Sequence, residues 1–122
     1  MQGKRLGRVN QLLKEEISML LQRELKDPRL GFVTVTEVDV TADLKHANVY
    51  VSVLGPEERW VSSLQALQSA RGFVWSWLRR HLDLRVTPEI AFRPDRSMEH
   101  AAHIQALLAE LRARPHGERA EP

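Results

Sequence analysis

The segment LQSARGFVWSWLRR (residues 67–80) decides the fold, because it carries a helical pattern that a glycine interrupts. Apolar residues recur at three- and four-residue steps both before and after Ala70-Arg71-Gly72. A glycine inside a helix costs about 1 kcal/mol relative to alanine, so its presence there needs a reason. The pattern predicts two helical segments joined by a tight break.

Helical patterns also occur at the two ends of the chain and directly before the break. An apolar stripe predicts a first helix over residues 6–25, and Asp27-Pro28 ends it because proline disfavours helical geometry in the preceding residue. The helix that leads into the break is predicted to start at Pro56. A last helix is predicted to start with Ser97 as its capping residue.

Three segments show the alternation of period two that is typical of strands. Residues 31–40 are apolar on both faces, which predicts a central strand that is covered on two sides. Residues 46–54 alternate more cleanly. Residues 84–93 are predicted to form an edge strand, because Pro88 cannot donate a hydrogen bond to a neighbouring strand. The apolar face of this third strand is predicted to contain Leu84, Val86, Ile90 and Phe92.

The predicted element order is helix, strand, strand, helix, break, helix, strand, helix. A three-stranded sheet that is covered on one face by helices is an α+β arrangement. We expect a single domain over residues 1–112. The polar, proline-containing residues 113–122 are expected to form a disordered tail.

The composition fits a chain with one core and no disulfide bonds. Its 122 residues include 43% hydrophobic residues, which are enough to fill one core. The absence of cysteine excludes disulfides, thiolate metal sites and cysteine nucleophiles. No apolar run approaches the roughly 18 residues that a membrane helix needs, so we expect a soluble, cytoplasmic protein.

Motifs that would indicate an enzyme are missing from the sequence. There is no glycine-rich phosphate loop, no Gly-x-Ser-x-Gly elbow and no His-Glu-x-x-His pattern. His100 and His103 are three residues apart, but no third metal ligand lies near them in the sequence, and a solvated helix face explains them better. We therefore expect no catalysis, no metal and no cofactor.

Basic residues are concentrated in two parts of the chain, although the net charge is only +2. Residues 1–8 contain three basic residues and no acidic one, and residues 71–96 contain six basic and three acidic residues. Residues 9–70 contain six basic and nine acidic residues. This segregation favours a basic surface for a polyanion, and ordinary solvated faces are the alternative interpretation.

Trp75 is predicted to lie at the boundary of a basic helical face. It follows Arg71 by one turn and precedes Arg79 by one turn. Arginines beside an accessible indole can combine phosphate contacts with base stacking, whereas a tryptophan that only covers the core is the alternative. The free N–H groups at the start of the second helical segment also favour a phosphate. The candidate RNA-binding residues are Lys4, Arg5, Arg8, Arg71, Trp75, Arg79, Arg80, Arg85 and Arg93.

Five short motifs follow one another along the chain: Asp27-Pro28-Arg29, Asp43-Leu44, Ala70-x-Gly72, Pro88-x-Ile90-x-Phe92 and Asp95-x-Ser97. In these motifs and their order the chain resembles the bacterial ribosome-binding factor A family. The similarity extends over about residues 5–111.

The resemblance implies a type II KH-like fold, in which a kink replaces the Gly-x-x-Gly turn of other KH domains. Ala70 and Gly72 would form this kink and let the two helices meet closely where a larger side chain would obstruct them. At position 75 the family usually has arginine, and Trp75 would offer stacking in place of a phosphate contact.

The resemblance also implies the function. It predicts a non-catalytic, monomeric factor that binds the free small (30S) ribosomal subunit and assists the late maturation and processing of 16S ribosomal RNA. A further assembly factor, such as a ribosome-assembly GTPase, would be a second partner. Two alternatives stay open: a protein–protein interaction module that uses its exposed edge strand, and a ligand-binding domain of ferredoxin-like type, which would need a fourth strand.

Overall fold

The computed structural model describes residues 2–113 as four helices and three strands in the predicted order. The elements are α1 (Gln2–Arg23), β1 (Phe32–Val40), β2 (His46–Leu54), α2 (Glu57–Ser69), α3 (Arg71–His81), β3 (Glu89–Pro94) and α4 (Ser97–Ala113). The predicted tail falls outside the described residues from residue 114 onward. None of the described helices is long and apolar enough to cross a membrane.

The three strands form one mixed sheet in the order β1-β2-β3. β1 and β2 pair antiparallel, whereas β2 and β3 pair parallel across the long connection that contains α2 and α3. β2 is therefore the central strand. The prediction that residues 31–40 form the central strand is wrong, and the prediction that the third strand lies at an edge is confirmed.

A β-bulge explains the apolar pattern on both faces of β1. The pairing register shifts between Val35 and Glu37, which leaves Thr36 as an extra residue. The inserted residue returns the valines of β1 to the core face, namely Val33, Val35, Val38 and Val40. Phe32 points to the opposite face and is 72% exposed. The two-sided pattern thus reflects an inserted residue and not a second covered face.

Three of the helices cover one face of the sheet, with α1 packed against β1 and with α2 and α3 packed against the other strands, whereas α4 has no buried residue. Every second residue of β2 is buried, in agreement with its alternating sequence. Full burial of a valine or leucine side chain contributes about 1.5–3 kcal/mol. The fully buried centre of the core consists of Leu13, Ile17, Val49, Val51, Leu67, Val74 and Leu78.

The third strand is shorter than predicted, because β3 starts at Glu89 and not at residue 84. Pro88 is fully buried and has no N–H, so the ladder with β2 begins directly after it, where the Glu89 N–H donates to the Lys45 carbonyl at 2.8 Å. Of the predicted apolar face, only the second half, Ile90 and Phe92, lies on the strand. Val86 is 40% exposed in the loop that precedes the strand.

The break between α2 and α3 lies at Ala70. This residue ends α2 and starts α3, with φ −90° and ψ 0°, and it is 8% exposed. A Cβ on Gly72, in contrast, would meet no atom within 4 Å. The prediction that Gly72 is needed for the close approach of the two helices is therefore wrong, whereas Ala70 lies buried at the junction.

Candidate nucleic-acid interface

An open groove of about 790 Å³ runs along the free edge of β3, between the sheet and the junction of α2 and α3. It lies at the end of the sheet where β2 and β3 both begin. Its lining consists of His46, Asn48, Gln68, Arg71, Gly72, Trp75, Glu89, Ile90, Ala91 and Arg93. Three of the predicted RNA-binding residues therefore meet in one place, although they come from two different elements.

Arg71 and Arg93 supply the positive charge of the groove. The Arg71 Nε donates to the Gln68 carbonyl at 3.1 Å, and the Arg93 Nε donates to the Asn48 Oδ1 at 3.2 Å. These bonds hold the two exposed side chains in place. Neither guanidinium makes an ion pair within residues 2–113, so both remain available to an anion from outside. Arginine suits such an anion because its planar fork matches two phosphate oxygens.

Trp75 forms a fixed wall of the groove. Its indole Nε1 donates to the Thr87 carbonyl at 3.2 Å, and its side chain is half-buried. The Arg79 guanidinium lies over the ring, with its Cζ 5.4 Å from the ring centroid, within the range of a cation–π contact. The indole is therefore held at one edge and still lines an open cavity, which is the geometry that a stacking platform needs.

The free edge of β3 is partly occupied by side chains. The Gln68 Nε2 donates to the Phe92 carbonyl at 3.4 Å, and Trp75 occupies the Thr87 carbonyl just before the strand. Strand addition requires a row of unpaired backbone groups along an edge. These two contacts reduce the support for the alternative in which this edge pairs with a partner chain.

Glu89 is the acidic residue of the groove lining. It sits beside its cross-strand partner His46, and the His46 Nδ1 lies 3.4 Å from the Glu89 Oε2. Both side chains are mostly exposed. A carboxylate repels phosphate, so the part of the groove that suits a nucleic-acid backbone is the part that holds Arg71 and Arg93.

Gly72 faces open space in the groove, and not the close contact between two helices that the sequence suggested. It lies in the first turn of α3 and contributes to the groove lining, with open space where a Cβ would stand. The missing side chain leaves the helix backbone accessible from the groove. Glycine commonly occupies positions where a ligand approaches the backbone closely.

The remaining predicted residues of the same region do not line the groove. Arg79 contacts the Trp75 ring, which in turn lines the groove. The Arg80 Nε donates to the Ser76 carbonyl at 3.3 Å, which holds the side chain along α3. Arg85 is exposed in the loop before β3 and does not share a strand face with Arg93, because that strand starts later than predicted.

The basic start of the chain is helical. Lys4, Arg5 and Arg8 are exposed on the first turns of α1, which begins at Gln2 and not at residue 6. The Asn10 Oδ1 accepts a hydrogen bond from the Val40 N–H at 2.9 Å. Val40 pairs with Ala47, the second residue of β2. This part of α1 therefore lies at the same end of the sheet as the groove.

Besides Glu89, Ile90 and Ala91 of β3, three groove residues were not predicted as site residues from the sequence: His46, Asn48 and Gln68. The first two occupy alternate positions on the open face of β2. The alternation of HANVYVSVL is the signal from which they could have been found. Their approach to Arg93 depends on the parallel register of β2 and β3, which joins residues more than forty positions apart. Local periodicity carries no information about that register.

Known proteins resemble this chain over most of its length. The sequence model of the family described as ribosome-binding factor A matches residues 5–108. A ribosome-binding factor A from Natranaerobius thermophilus is 49% identical over 111 residues, which cover 91% of this chain and 85% of that protein.

Solved structures agree with this match. The crystal structure of ribosome-binding factor A from Thermus thermophilus superposes with a TM-score of 0.65 and 30% identity, over 73% of this chain and 94% of that one. A Thermus thermophilus homology model fitted into an electron cryo-microscopy map of a complex with 30S gives a TM-score of 0.59 and 32% identity, over 70% and 90% of the two chains. The α+β fold with its three-stranded sheet is thus the KH-like fold of these proteins, and the chain belongs to the ribosome-binding factor A family.

Proposed function

We propose that this chain is a non-catalytic assembly factor that binds the free small ribosomal subunit and assists the late maturation and processing of 16S ribosomal RNA. The proposal is supported by family membership and by the relative that was fitted into a map of a complex with 30S. The folded domain of residues 1–112 would act as a monomer in the cytoplasm, and a ribosome-assembly GTPase would be a further partner.

The observation that carries the RNA contact is that Arg71 and Arg93, which make no ion pair within residues 2–113, line the same groove as Trp75. A single strand of RNA in the groove would place phosphates at Arg71 and Arg93 and a base against the indole. Stacking of a base on an aromatic side chain is worth about 1–3 kcal/mol, and the phosphate contacts add a salt-dependent term. Duplex RNA would present its bases paired and stacked inside the helix, out of reach of the indole.

The proposed footprint extends from this centre over the surrounding basic residues. Arg79 would act by holding the Trp75 ring, and the other cations would contact neighbouring phosphates. The full set is Lys4, Arg5, Arg8, Arg71, Trp75, Arg79, Arg80, Arg85 and Arg93.

Sedimentation of the tagged protein with cell lysate tests the proposed function. We expect the protein to travel with free small subunits and much less with translating ribosomes, because an assembly factor leaves before translation. Equal occupancy of both pools, or absence from both, would contradict the proposal.

A further inference from the structure

Two large apolar side chains lie together on the face of the sheet that none of the described helices covers. Phe32 and Leu54 are cross-strand partners, and they are 72% and 73% exposed. Directly opposed residues of an antiparallel pair have Cβ atoms about 4.5–5.5 Å apart, so the two side chains form one continuous surface. The next pair on this face, Thr34 and Ser52, is polar. The apolar surface is therefore confined to one end of the sheet.

An arginine is built into the same end of the sheet. The stem of Arg59 lies against the backbone of Gly31 and Gly55, the residues directly before Phe32 and directly after Leu54. A Cβ at either glycine would come within 3.0 Å of the stem. Gly55 also has φ +132°, a conformation that side chains rarely allow. Phe32, Leu54 and Arg59 together are called the Phe32–Leu54 patch below.

The guanidinium of Arg59 has no partner among residues 2–113. Arg29 pairs with Asp27 at 2.8 Å and Arg96 pairs with Glu57 at 2.9 Å, whereas Arg59 makes no ion pair. Because its stem is already held between two glycines, this side chain loses less conformational freedom on binding than a mobile arginine does. The patch thus offers a positioned cation to an acidic group of a partner.

A recess next to Phe32, lined by apolar and charged side chains, adds room for an apolar side chain. Leu25, Leu30 and Val33 contribute to its lining together with Phe32 itself. Energetically dominant contacts in protein interfaces commonly combine an apolar pocket with arginine or aromatic side chains. The recess and the positioned arginine together resemble such a centre.

The charges around the patch favour a protein over RNA. Glu57 and Glu58 lie in the first turn of α2 directly before Arg59, and among residues 2–113 only Glu57 has an ion-pair partner, Arg96. A polyanion would meet this acidic turn, whereas a partner with one carboxylate in basic surroundings would complement both Arg59 and the glutamates.

We propose that the Phe32–Leu54 patch docks a protein of the small ribosomal subunit that presents an apolar side chain next to a carboxylate. The inference rests on the proposed function, because that function supplies the subunit. β2 runs from His46 in the groove to Leu54 in the patch, eight steps of about 3.3 Å, or roughly 26 Å. RNA in the groove and protein on the patch can therefore be bound at the same time.

The test compares two ligands: complete small subunits and protein-free 16S ribosomal RNA. The double variant Phe32→Ser with Leu54→Ser is expected to bind complete subunits at least tenfold more weakly, with an unchanged salt dependence, because apolar contacts release no counterions. Its binding to protein-free RNA is expected to equal that of the wild type. The variant Val61→Ser removes another exposed apolar side chain, on α2, and serves as the matched control.

Each result of these binding measurements either supports or overturns the inference. Unchanged binding of the double variant to complete subunits would overturn the inference, and an equal loss on both ligands would mean that the patch contacts RNA. If the wild type binds neither ligand, the proposed function fails and the inference fails with it. A photo-crosslinking residue at position 32 of the otherwise unaltered chain gives an independent readout: crosslinks to one ribosomal protein support the inference, and crosslinks to RNA alone contradict it.

Discussion

Neutralising the two groove arginines should change the salt dependence of RNA binding by a predictable amount. Arg71 and Arg93 make no ion pair within the described part of the chain, so each is free to neutralise one phosphate. Each neutralised phosphate of a single strand contributes about 0.7 to the slope of log K against log salt concentration. The double variant Arg71→Gln with Arg93→Gln should therefore lower the slope by about 1.4, which corresponds to roughly 25-fold weaker binding at 0.1 M salt.

The assay is a salt titration of binding to small subunits, with thermal unfolding measured in parallel. Exposed substitutions away from the core usually change stability by about 0.5 kcal/mol or less, so the melting temperature should barely move. Arg23→Gln with Arg112→Gln is the matched control, because it removes two exposed charges that line neither the groove nor the recess next to Phe32. If the groove variant and the control show the same slope, the groove does not contact phosphates and the reasoning is refuted.

Three further predictions concern stability and are measured by urea unfolding. The Thr36 hydroxyl and Ser97 lower the pKa of Asp95 by donating hydrogen bonds to its carboxylate, so Asp95→Ala should cost about 1–2 kcal/mol at pH 7. This contribution is present above the unfolded-state pKa near 3.9 and is lost as the pH falls through the lowered folded-state value, so a difference from wild type that stays constant between pH 5 and pH 2 would contradict it. Gly72→Ala should leave stability unchanged or raise it by up to about 1 kcal/mol, because a Cβ there meets open space; a clear loss would restore the close-approach interpretation. Gly55→Ala should cost about 1–3 kcal/mol because of its positive φ and the neighbouring Arg59 stem, and an unchanged midpoint would show that the loop adapts.

Local patterns predicted the elements of the fold and only part of their arrangement. The alternation of β2 and the proline of the third strand identified a strand with one core face and an edge strand correctly, because each depends on the residues of that strand alone. The bulge at Thr36 was invisible to a period of two, since one inserted residue makes a one-sided strand look apolar on both faces. The central position was consequently assigned to β1 and not to β2.

The candidate site shows the same division between local and long-range information. Arg71 and Trp75 were found from their helical spacing on α3, and Arg93 from its position on the third strand. That these residues face a common groove depends on the packing of α2 and α3 beside β3, which no single segment encodes. Gly72 was correctly singled out as unusual, but a helical glycine fits both a tight contact and an open surface, and only the three-dimensional surroundings distinguish them.

The parallel pairing of β2 with β3 has a consequence for the order in which the molecule folds. β1 and β2 are joined by residues 41–45, whereas residues 55–88 separate β2 from β3. Closing the longer loop costs more chain entropy, and contacts between distant parts of a chain form slowly. We expect pulsed hydrogen exchange to protect the amides of β1 and β2 before those of β3, and simultaneous protection would contradict this order. A molecule that is trapped before β3 docks would be folded over much of its length and yet have no groove for RNA.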